Sequence, residues 1–372
     1  MAPARPKDST EPAAEGRRRS SAPTLADVAR EAGVSRMAAS GALNGGRRGS
    51  ARVSVDTRDR VLAVAERLGY RPNATALALA HRRTDAVGVV TNFLGEEPNL
   101  YFLELFSGVI QGATAAGLTT AVFTLKDWRD APSRIPALCD GRVDGLILLA
   151  PRLPDDGAKW SPKHTPMVSV HAEQPVYGVV NIESDNEIGA YEMVRHLLEI
   201  GHRRILHVGG PAQYSGATRR VDGYLRAYAE AGVAPPKGHV VRAPLTVEGG
   251  REAMQHWLQV HSGRQLPEAV FGGNDAIAFG CIEALRMRGV RVPEDVSVVG
   301  YDNSWMARSV QMATVHQPLH EMGRHAVEVL VQRIDARNRG DAETAPSPVV
   351  LPTEIVLGKT LASPRRARLT IA

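Results

Sequence analysis

Short apolar segments alternate with helical segments over most of this chain, and this alternation constrains the fold more than any other feature. From residue 85 onward the apolar segments, rich in Val, Ile, Leu and Gly, occupy 87–90, 120–124, 143–149, 167–170, 205–208, 269–271 and 296–299. Continuous apolar runs of this length are typical of parallel strands that are buried on both faces. The alternation therefore predicts a doubly wound α/β fold of parallel sheets. About 280 residues is long for one such sheet, which favours two similar lobes with a cleft between them.

Three short helical patterns precede the α/β region. The first follows Thr24, whose side chain is suited to cap a helix, and carries apolar residues at positions i, i+3, i+4 and i+7 of one face. Gly33 permits a sharp turn, Ser35 can cap the second helix, and a third helix follows Ser54. Two short helices joined by a tight glycine turn, with a third beside them, predict a helix-turn-helix domain over residues 24–71. A plain three-helix bundle is the alternative.

Charge is spread unevenly along the sequence. Residues 1–83 carry 16 Lys and Arg against 8 Asp and Glu, whereas the whole chain has a net charge of only +5. Such a basic N-terminal part indicates an anionic partner, for which DNA is the usual candidate, although a solvated basic tail would give the same count. Residues 1–23, rich in Pro, Ala, Ser and Arg, predict a disordered basic arm, whose arginines either touch phosphates or only add solubility. Residues 361–372 predict a second basic tail.

The sequence lacks the patterns of an enzyme, a metal protein or a membrane protein. It has no GxSxG, GxxxxGK or HExxH motif, and its two cysteines, Cys139 and Cys281, lie far apart. The histidines at 196, 202 and 207 straddle a predicted helix, turn and strand, so we expect neither a metal nor a cofactor. No apolar run is long enough to span a bilayer and no secretory signal is visible, which predicts a protein of the reducing cytoplasm.

Four groups of segments carry a more specific pattern. They are 24–35 (TLADVAREAGVS), 68–73 (LGYRPN), 201–205 with 220–224 (GHRRI, RVDGY), and 295–302 with 314–318 and 351–354 (DVSVVGYD, TVHQP, LPTE). Their order and content over residues 24–360 resemble the lactose-repressor (LacI–GalR) family of bacterial transcription regulators. The resemblance implies an N-terminal helix-turn-helix, a hinge helix, and a two-lobed core like that of periplasmic binding proteins. That core, over residues 85–360, would bind a small effector and dimerise.

The resemblance assigns base reading to the first residues of the second helix, Arg36 and Met37. A helix of this kind lies in the major groove with its N-terminal residues on base edges. Arg36 can donate two hydrogen bonds to guanine O6 and N7, and Met37 offers an apolar surface suited to a thymine methyl group or to close packing. Ser35, Ser40 and Asn44 are expected to bond phosphates, which sets the register on DNA without reading its sequence.

Two departures from the family pattern affect this surface. Family members often carry Thr-Val-Ser-Arg where this chain has Ala-Ala-Ser-Gly at 38–41, so the usual arginine is missing. Gly41 also weakens the helix by about 1 kcal/mol relative to alanine. The loop 45–53 is longer than usual, and its Arg47 and Arg48 either restore phosphate contacts or belong to a solvated insertion.

A hinge helix and linker are expected over residues 72–84. Asn73 can cap a short helix over 74–81, which is too short to be stable alone in water and should fold when two copies pair in the minor groove of DNA. By resemblance, Leu79 would wedge between base pairs there and bend the duplex. A plain linker is the alternative. Thr24, Asn73 and Leu79 complete the expected DNA-binding residues.

Three polar residues match family ligand positions, Arg220, Asn274 and Asp302, and each follows a predicted strand or lies early in a helix. Ligands of such folds bind in the cleft between the lobes, near the carboxyl ends of strands. An arginine and a carboxylate can together bracket neighbouring hydroxyl groups of a sugar, whereas Arg220 paired only with Asp222 or Asp185 would have a structural role. The aromatic residues that could stack on a ligand ring, or serve only packing, are Tyr101, Phe102 and Trp305.

The basic helix-turn-helix pattern predicts a sequence-specific DNA-binding regulator. The resemblance further implies that it is by family default a repressor, whose operator affinity depends on a sugar or sugar derivative bound between the lobes. Because one helix reads one half-site, a homodimer requires a nearly palindromic operator. An activator, a nucleoside- or purine-responsive regulator and a core without a ligand are open alternatives. A stand-alone solute-binding protein would share the core, but it would lack the helix-turn-helix and carry a secretory signal.

Overall fold

The chain forms two compact units, residues 1–82 and residues 83–372. The computed structural model describes residues 22–43, 53–73, 76–78, 83–92, 100–152, 164–174, 176, 178–341 and 347–364. Of the residues expected to bind DNA, Asn44, Arg47, Arg48 and Leu79 lie outside this described part of the chain.

The first unit contains the helices α1 (Leu25–Glu31), α2 (Arg36–Leu43) and α3 (Val55–Leu68). Their ends follow local sequence signals: Ser54 caps α3, and Gly33 between α1 and α2 adopts a φ of +65° that glycine reaches without strain. Val28, Ala39 and Val61, one from each helix, are fully buried against one another in a small core. The predicted helix-turn-helix is confirmed.

Thr24→Ala is expected to loosen α1. The Thr24 hydroxyl oxygen accepts the Asp27 backbone N–H at 3.3 Å, and the Asp27 carboxylate accepts the Thr24 backbone N–H at 3.0 Å, which forms a complete capping box. Losing the cap costs about 0.5–2 kcal/mol, so amide exchange in α1 should become about 2- to 30-fold faster by mass spectrometry. Thr24→Ser keeps the hydroxyl and should change exchange little; equal exchange in both variants would contradict the role of the cap.

The second unit is an α/β structure. Its strands are β1 (Ala86–Thr91), β2 (Thr119–Thr124), β3 (Gly145–Leu149), β4 (Met167–Val170), β5 (Val180–Ser184), β6 (Ile205–Gly209), β7 (Val240–Arg242), β8 (Ala269–Gly272), β9 (Ser297–Val299), β10 (Thr314–His316), β11 (Val349–Leu351) and β12 (Glu354–Val356). Its helices are α4 (Leu100–Ala115), α5 (Ala131–Leu138), α6 (Asn186–Glu199), α7 (Ser215–Glu230), α8 (Val247–Val260), α9 (Asp275–Met287), α10 (Trp305–Val310) and α11 (Leu319–Arg339). None of these helices is long and apolar enough to traverse a lipid bilayer.

Two parallel sheets form the centres of two lobes. The first lobe has the strand order β11-β5-β4-β3-β1-β2, and the second has β7-β6-β8-β9. Helices α4 and α11 cover one face of the first sheet and α5 the other, while α6 and α7 face α8 and α9 across the second sheet. Buried apolar side chains therefore fill both faces of each sheet, as the uninterrupted apolar runs predict. The predicted two-lobed α/β fold is confirmed.

Within the residues that the structure describes, the chain passes between the lobes three times. The crossings join β5 to α6, β10 to α11, and β11 to β12, and β10 pairs with β12 in an antiparallel ribbon beside the second lobe. The crossings bring the ends of distant segments together at the base of the cleft, where Ser184 and Gln317 are hydrogen-bonded and both are buried.

Two boundaries differ from the predicted ones. Strand β3 begins at Gly145 rather than at residue 143, because the Asp144 carboxylate accepts the backbone N–H groups of Thr84 and Asp85 at 2.8 and 2.9 Å instead of continuing the apolar run. The second unit also continues beyond residue 360, since the Ala362 carbonyl lies 3.0 Å from the ring of the buried His202. The four residues after 360 therefore pack on the second lobe.

Candidate functional site

The N-terminal end of α2 is exposed to solvent on the surface of the first unit. The Ser35 hydroxyl oxygen accepts the Ala38 backbone N–H at 3.1 Å and thus caps the helix. Arg36 and Met37 follow at once, and both are exposed, with 73% of Met37 accessible to solvent. An exposed methionine at the tip of a helix, beside an exposed arginine, is available for contact with a partner.

The other expected DNA-binding residues of the first unit have local partners. Ser40 is half-buried on α2, and Thr24 is engaged in the capping box of α1. The Asn73 side chain accepts the Ala76 backbone N–H at 3.2 Å, at the start of a helical turn over residues 76–78. Asn73 therefore makes the bond expected of a helix cap, and the DNA contacts of these residues stay predictions.

Arg220 lies in the second turn of α7 at the base of the cleft, and only 7% of its surface is exposed to solvent. Its Nε donates to the Asn186 side chain at 2.8 Å, another nitrogen donates to the Gly273 carbonyl, and the guanidinium lies 3.8 Å from the centre of the Tyr301 ring. These contacts fix the guanidinium plane. Asp185, one of the alternative partners expected from the sequence, instead caps α6 through the Ile188 backbone N–H.

Asp302 faces Arg220 from the loop after β9. Its backbone has a φ of +116°, which is rare for a residue with a side chain and marks a strained position held by its surroundings. The Gln317 amide donates to its Oδ1 at 2.6 Å, and Arg220 Nη2 lies 3.9 Å from the same oxygen. Burial raises the pKa of Asp302 above its usual range; Arg220 opposes the rise and the nearby Asp275 carboxylate adds to it.

A second buried carboxylate supports this loop. Asp275, at the start of α9, accepts the Ser304 backbone N–H at 2.7 Å and the Thr314 hydroxyl at 2.5 Å. Burial also raises the pKa of Asp275, and those two hydrogen bonds oppose the rise. Asp275 thus ties the loop after β9 to the start of β10.

Asp302→Asn is expected to flatten the dependence of stability on pH. A carboxyl whose pKa is higher in the folded than in the unfolded chain binds more protons when folded, so its contribution to stability falls as pH rises above the unfolded pKa near 3.8. The free energy of unfolding of the wild-type chain should therefore decline more from mildly acidic to mildly basic pH than that of the variant. Urea unfolding at a series of pH values measures this, with Asp222→Asn on α7 as the control; parallel curves for wild type and Asp302→Asn would refute it.

Four further residues were predicted to line the cleft, namely Asn274, Tyr101, Phe102 and Trp305. Asn274 caps α9, since its Oδ1 accepts the Ile277 backbone N–H at 2.9 Å and its amide donates to the Leu245 carbonyl at 3.3 Å. Both polar atoms are thus used within the second lobe, and a ligand contact by Asn274 stays a prediction. Tyr101 and Phe102 pack edge to face on α4 with ring centres 4.9 Å apart. Trp305, the first residue of α10, is 65% exposed.

A chain of hydrogen bonds that sequence reasoning missed runs along the base of the cleft. The ring of His171 accepts the Ser184 backbone N–H at 3.2 Å, the Ser184 hydroxyl donates to Gln317, and Gln317 donates to Asp302. His171 and Ser184 belong to the first lobe and Asp302 to the second, so the chain links the lobes. Of these residues, only Gln317 could have been found from the sequence, because it lies in one of the segments that carry the family resemblance. Asn186, which contacts Arg220, follows a strand that was not predicted and therefore gave no such signal.

Charged side chains also join the two lobes at the rim of the cleft. Arg219 of α7 lies 2.8 Å from Glu183 of β5, and Arg308 of α10 pairs with Glu104 of α4. Ion pairs with half-exposed partners contribute about 0–1 kcal/mol each, so they bias the lobes toward contact without locking them. No cluster of three or more His, Cys, Asp or Glu with a metal-binding arrangement occurs in the described ranges.

Known proteins match this chain along nearly its whole length. Residues 24–73 match the model of bacterial regulatory proteins of the lacI family, and residues 194–361 match the periplasmic binding protein-like domain. The transcriptional repressor PurR of Photorhabdus laumondii is 33% identical over 86% of this chain and 93% of its own length. The catabolite control protein A of Priestia megaterium is 30% identical over 83% of this chain and 92% of its own length. The chain belongs to the lacI family of bacterial regulatory proteins.

Solved structures of lacI-family proteins agree with this assignment. The lac repressor dimer bound to operator and the anti-inducer ONPF has a TM-score of 0.79 at 25% identity and covers 91% of this chain and 99% of the other. The complex of the transcriptional regulator CelR with cellobiose has a TM-score of 0.65 at 30% identity, with coverage of 91% and 99%. This lacI-family chain is thus a DNA-binding transcription regulator with an effector-binding core, and it is not an enzyme.

Proposed function

We propose that this lacI-family regulator represses transcription as a homodimer on a nearly palindromic operator, and that a carbohydrate bound between its lobes at Arg220 and Asp302 sets its affinity for DNA. Arg36 and Met37 read bases in each half-site, while Ser35 and Ser40 contact phosphates. The lac repressor dimer on its operator and the cellobiose complex of CelR support both halves of the proposal. Because its partner is chromosomal DNA, the protein works in the cytoplasm.

The gap between Arg220 and Asp302 carries the effector proposal. Arg220 Nη2 and Asp302 Oδ1 lie 3.9 Å apart, too far for a hydrogen bond, although both groups are almost completely buried. A donor and an acceptor held side by side in this way suit a hydroxyl group, which can donate to the carboxylate while it accepts from the guanidinium. Neighbouring hydroxyls of a sugar satisfy both groups at once, and Tyr101 and Phe102 supply apolar surface for the ring.

A purine or nucleoside is the second candidate effector. Several relatives named PurR match this chain over most of its length, and the edge-to-face pair of Tyr101 and Phe102 could stack on a planar ring. The hydrogen-bonding edge of a base would then meet Arg220 and Asp302. An activator with the same architecture is a further alternative, and mapping the operators relative to promoters distinguishes it from a repressor.

A thermal-shift screen tests the effector. Cellobiose, D-ribose, D-xylulose, adenosine and guanine are each added to the full chain, since a ligand that binds only the folded state raises the melting temperature. We expect a sugar to raise it and to change operator affinity. Asp302→Ala should abolish the response, whereas Asp222→Asn should retain it. A full response from Asp302→Ala would rule out this site, and a response only to adenosine or guanine would replace the sugar by a purine.

Footprinting tests the operator. A homodimer should protect two half-sites related by a two-fold axis and about 10 base pairs, or a multiple of that, apart from centre to centre. Protection of a single asymmetric site by one protomer would refute the proposal.

A further inference from the structure

His171 occupies an unusual position at the edge of the effector cleft. It follows β4 directly, and ligands of parallel α/β sheets bind beyond the carboxyl ends of the strands. Its backbone φ of +52° lies in the left-handed region, which costs free energy for a residue other than glycine, asparagine or aspartate. Its ring stacks on Tyr101, with centres 5.5 Å apart and planes 20° from parallel. A strained, half-buried histidine at this location points to a role beyond packing.

The hydrogen bonds of His171 fix which ring nitrogen carries the proton. The Ser184 backbone N–H, which can only donate, lies 3.2 Å from Nε2. Nε2 must therefore be the acceptor, and a neutral ring has to carry its proton on Nδ1. Among the residues that the structure describes, none forms a hydrogen bond with Nδ1. The ring thus holds an unused donor beside the cleft.

The surroundings also keep this ring neutral. Desolvation lowers the pKa of His171 to about 3, and the positive charges of Arg220 and Arg219 act in the same direction. The hydrogen-bond chain through Ser184 and Gln317 connects the ring with Asp302, so the free donor belongs to the same polar layer as the proposed sugar site.

We propose that His171 contacts the effector directly, with Nδ1–H as a hydrogen-bond donor of fixed tautomer. This assignment rests on the proposed effector site at Arg220 and Asp302. It defines the ligand as a neutral molecule with an acceptor oxygen toward the first lobe and hydroxyl groups toward the second. An ammonium group in place of that oxygen is rejected, because it has no lone pair for Nδ1–H and meets the charges of Arg219 and Arg220.

A nitrogen NMR experiment tests the tautomer without any ligand. The full chain is labelled with ¹⁵N-histidine, and His171 is assigned by the signal that disappears in His171→Asn. At pH 7 we expect a protonated Nδ1 and an unprotonated Nε2, with the same pattern at pH 5. A proton on Nε2, or a charged ring at pH 5, would overturn the assignment.

Two substitutions separate the ligand contact from the contact with Ser184. The amide nitrogen of asparagine can take the place of Nδ1, and asparagine tolerates the left-handed backbone, whereas glutamine reaches toward the Nε2 position and can still accept from Ser184. With the sugars cellobiose, D-ribose and D-xylulose as probes, His171→Asn should bind within a few-fold of wild type. His171→Gln should lose about 5- to 150-fold in affinity, the cost of an unsatisfied buried group on the ligand.

Operator binding and the melting temperature of both variants, measured without sugar, serve as controls, since neither depends on the Nδ1–H donor of His171. Wild-type affinity in His171→Gln would overturn the proposal. So would an equal loss in both variants together with a lower melting temperature, which would make His171 a structural residue. If none of the three sugars raises the melting temperature of the wild-type chain, the carbohydrate effector of the proposed function fails, and the NMR experiment still decides the state of His171.

Discussion

Replacing Arg220 by alanine is expected to destabilise the second unit by about 2–6 kcal/mol. The buried Asn186 side chain and the Gly273 carbonyl both lose their hydrogen-bond donor, and each buried group left without a partner costs about 1–3 kcal/mol. Urea unfolding followed by tryptophan fluorescence measures the loss, since Trp128 and Trp257 both lie in this unit. The same variant should bind none of the probe sugars.

Arg219→Ala is the matched control for this prediction. Arg219 is the neighbouring residue of α7, but 46% of its side chain is exposed and its ion pair with Glu183 lies at the rim of the cleft. Its removal should cost no more than about 1 kcal/mol. If the two variants lost the same stability, the cost of Arg220→Ala could not be attributed to its buried partners.

Replacing Arg36 by alanine is expected to weaken operator binding by about 1–3 kcal/mol per half-site, and therefore by about 2–6 kcal/mol for a dimer. The loss should fall on one base pair of each half-site, since a bidentate contact to guanine is lost there. Binding titrations with the operator and with operators altered at single positions measure both effects. Random DNA should be bound almost as before, and an equal loss on random DNA would remove Arg36 from base reading.

Arg47→Ala provides the contrasting pattern. If the loop arginine bonds a phosphate, its removal should weaken all DNA sequences alike and reduce the slope of log K against log salt by about 1. An unchanged slope would instead place Arg47 in a solvated insertion.

The parts of the fold that could be predicted are those set by local sequence. Thr24 and Ser35 cap helices as predicted, and Ser54 caps the third helix, which was predicted to follow it, because each cap depends only on residues up to three positions away. Strands β1, β3, β4, β6, β8 and β9 were predicted because they are buried on both faces and mainly apolar, and the half-exposed edge strand β2 was predicted from its apolar centre. Strand β5 was missed because Asn181 and Glu183 interrupt its apolar run. Strands β7, β10, β11 and β12 were missed because each has only three residues and, unlike the equally short β9, is not fully buried.

The candidate site was only partly predictable for a related reason. Arg220 and Asp302 were identified through the family resemblance, and the structure brings them within 3.9 Å of each other. His171, Ser184 and Gln317 come from three separate segments, and only the folded chain aligns them. Hydrogen bonds between residues far apart in sequence leave no periodic signal, so pattern analysis does not detect them.

The strand order of the first lobe also has a consequence for the synthesis of the protein. Its sheet ends in β11 (Val349–Leu351), which pairs with β5 (Val180–Ser184), and its covering helix α11 begins at Leu319. The sheet of the second lobe, by contrast, is contiguous in sequence between β6 and β9. On the ribosome the second sheet can therefore form while the chain is still growing, whereas the first lobe stays unfinished until nearly the whole protein has emerged. During this interval the apolar faces that α11 will cover are exposed, which makes the nascent first lobe the part of the molecule most dependent on protection by chaperones.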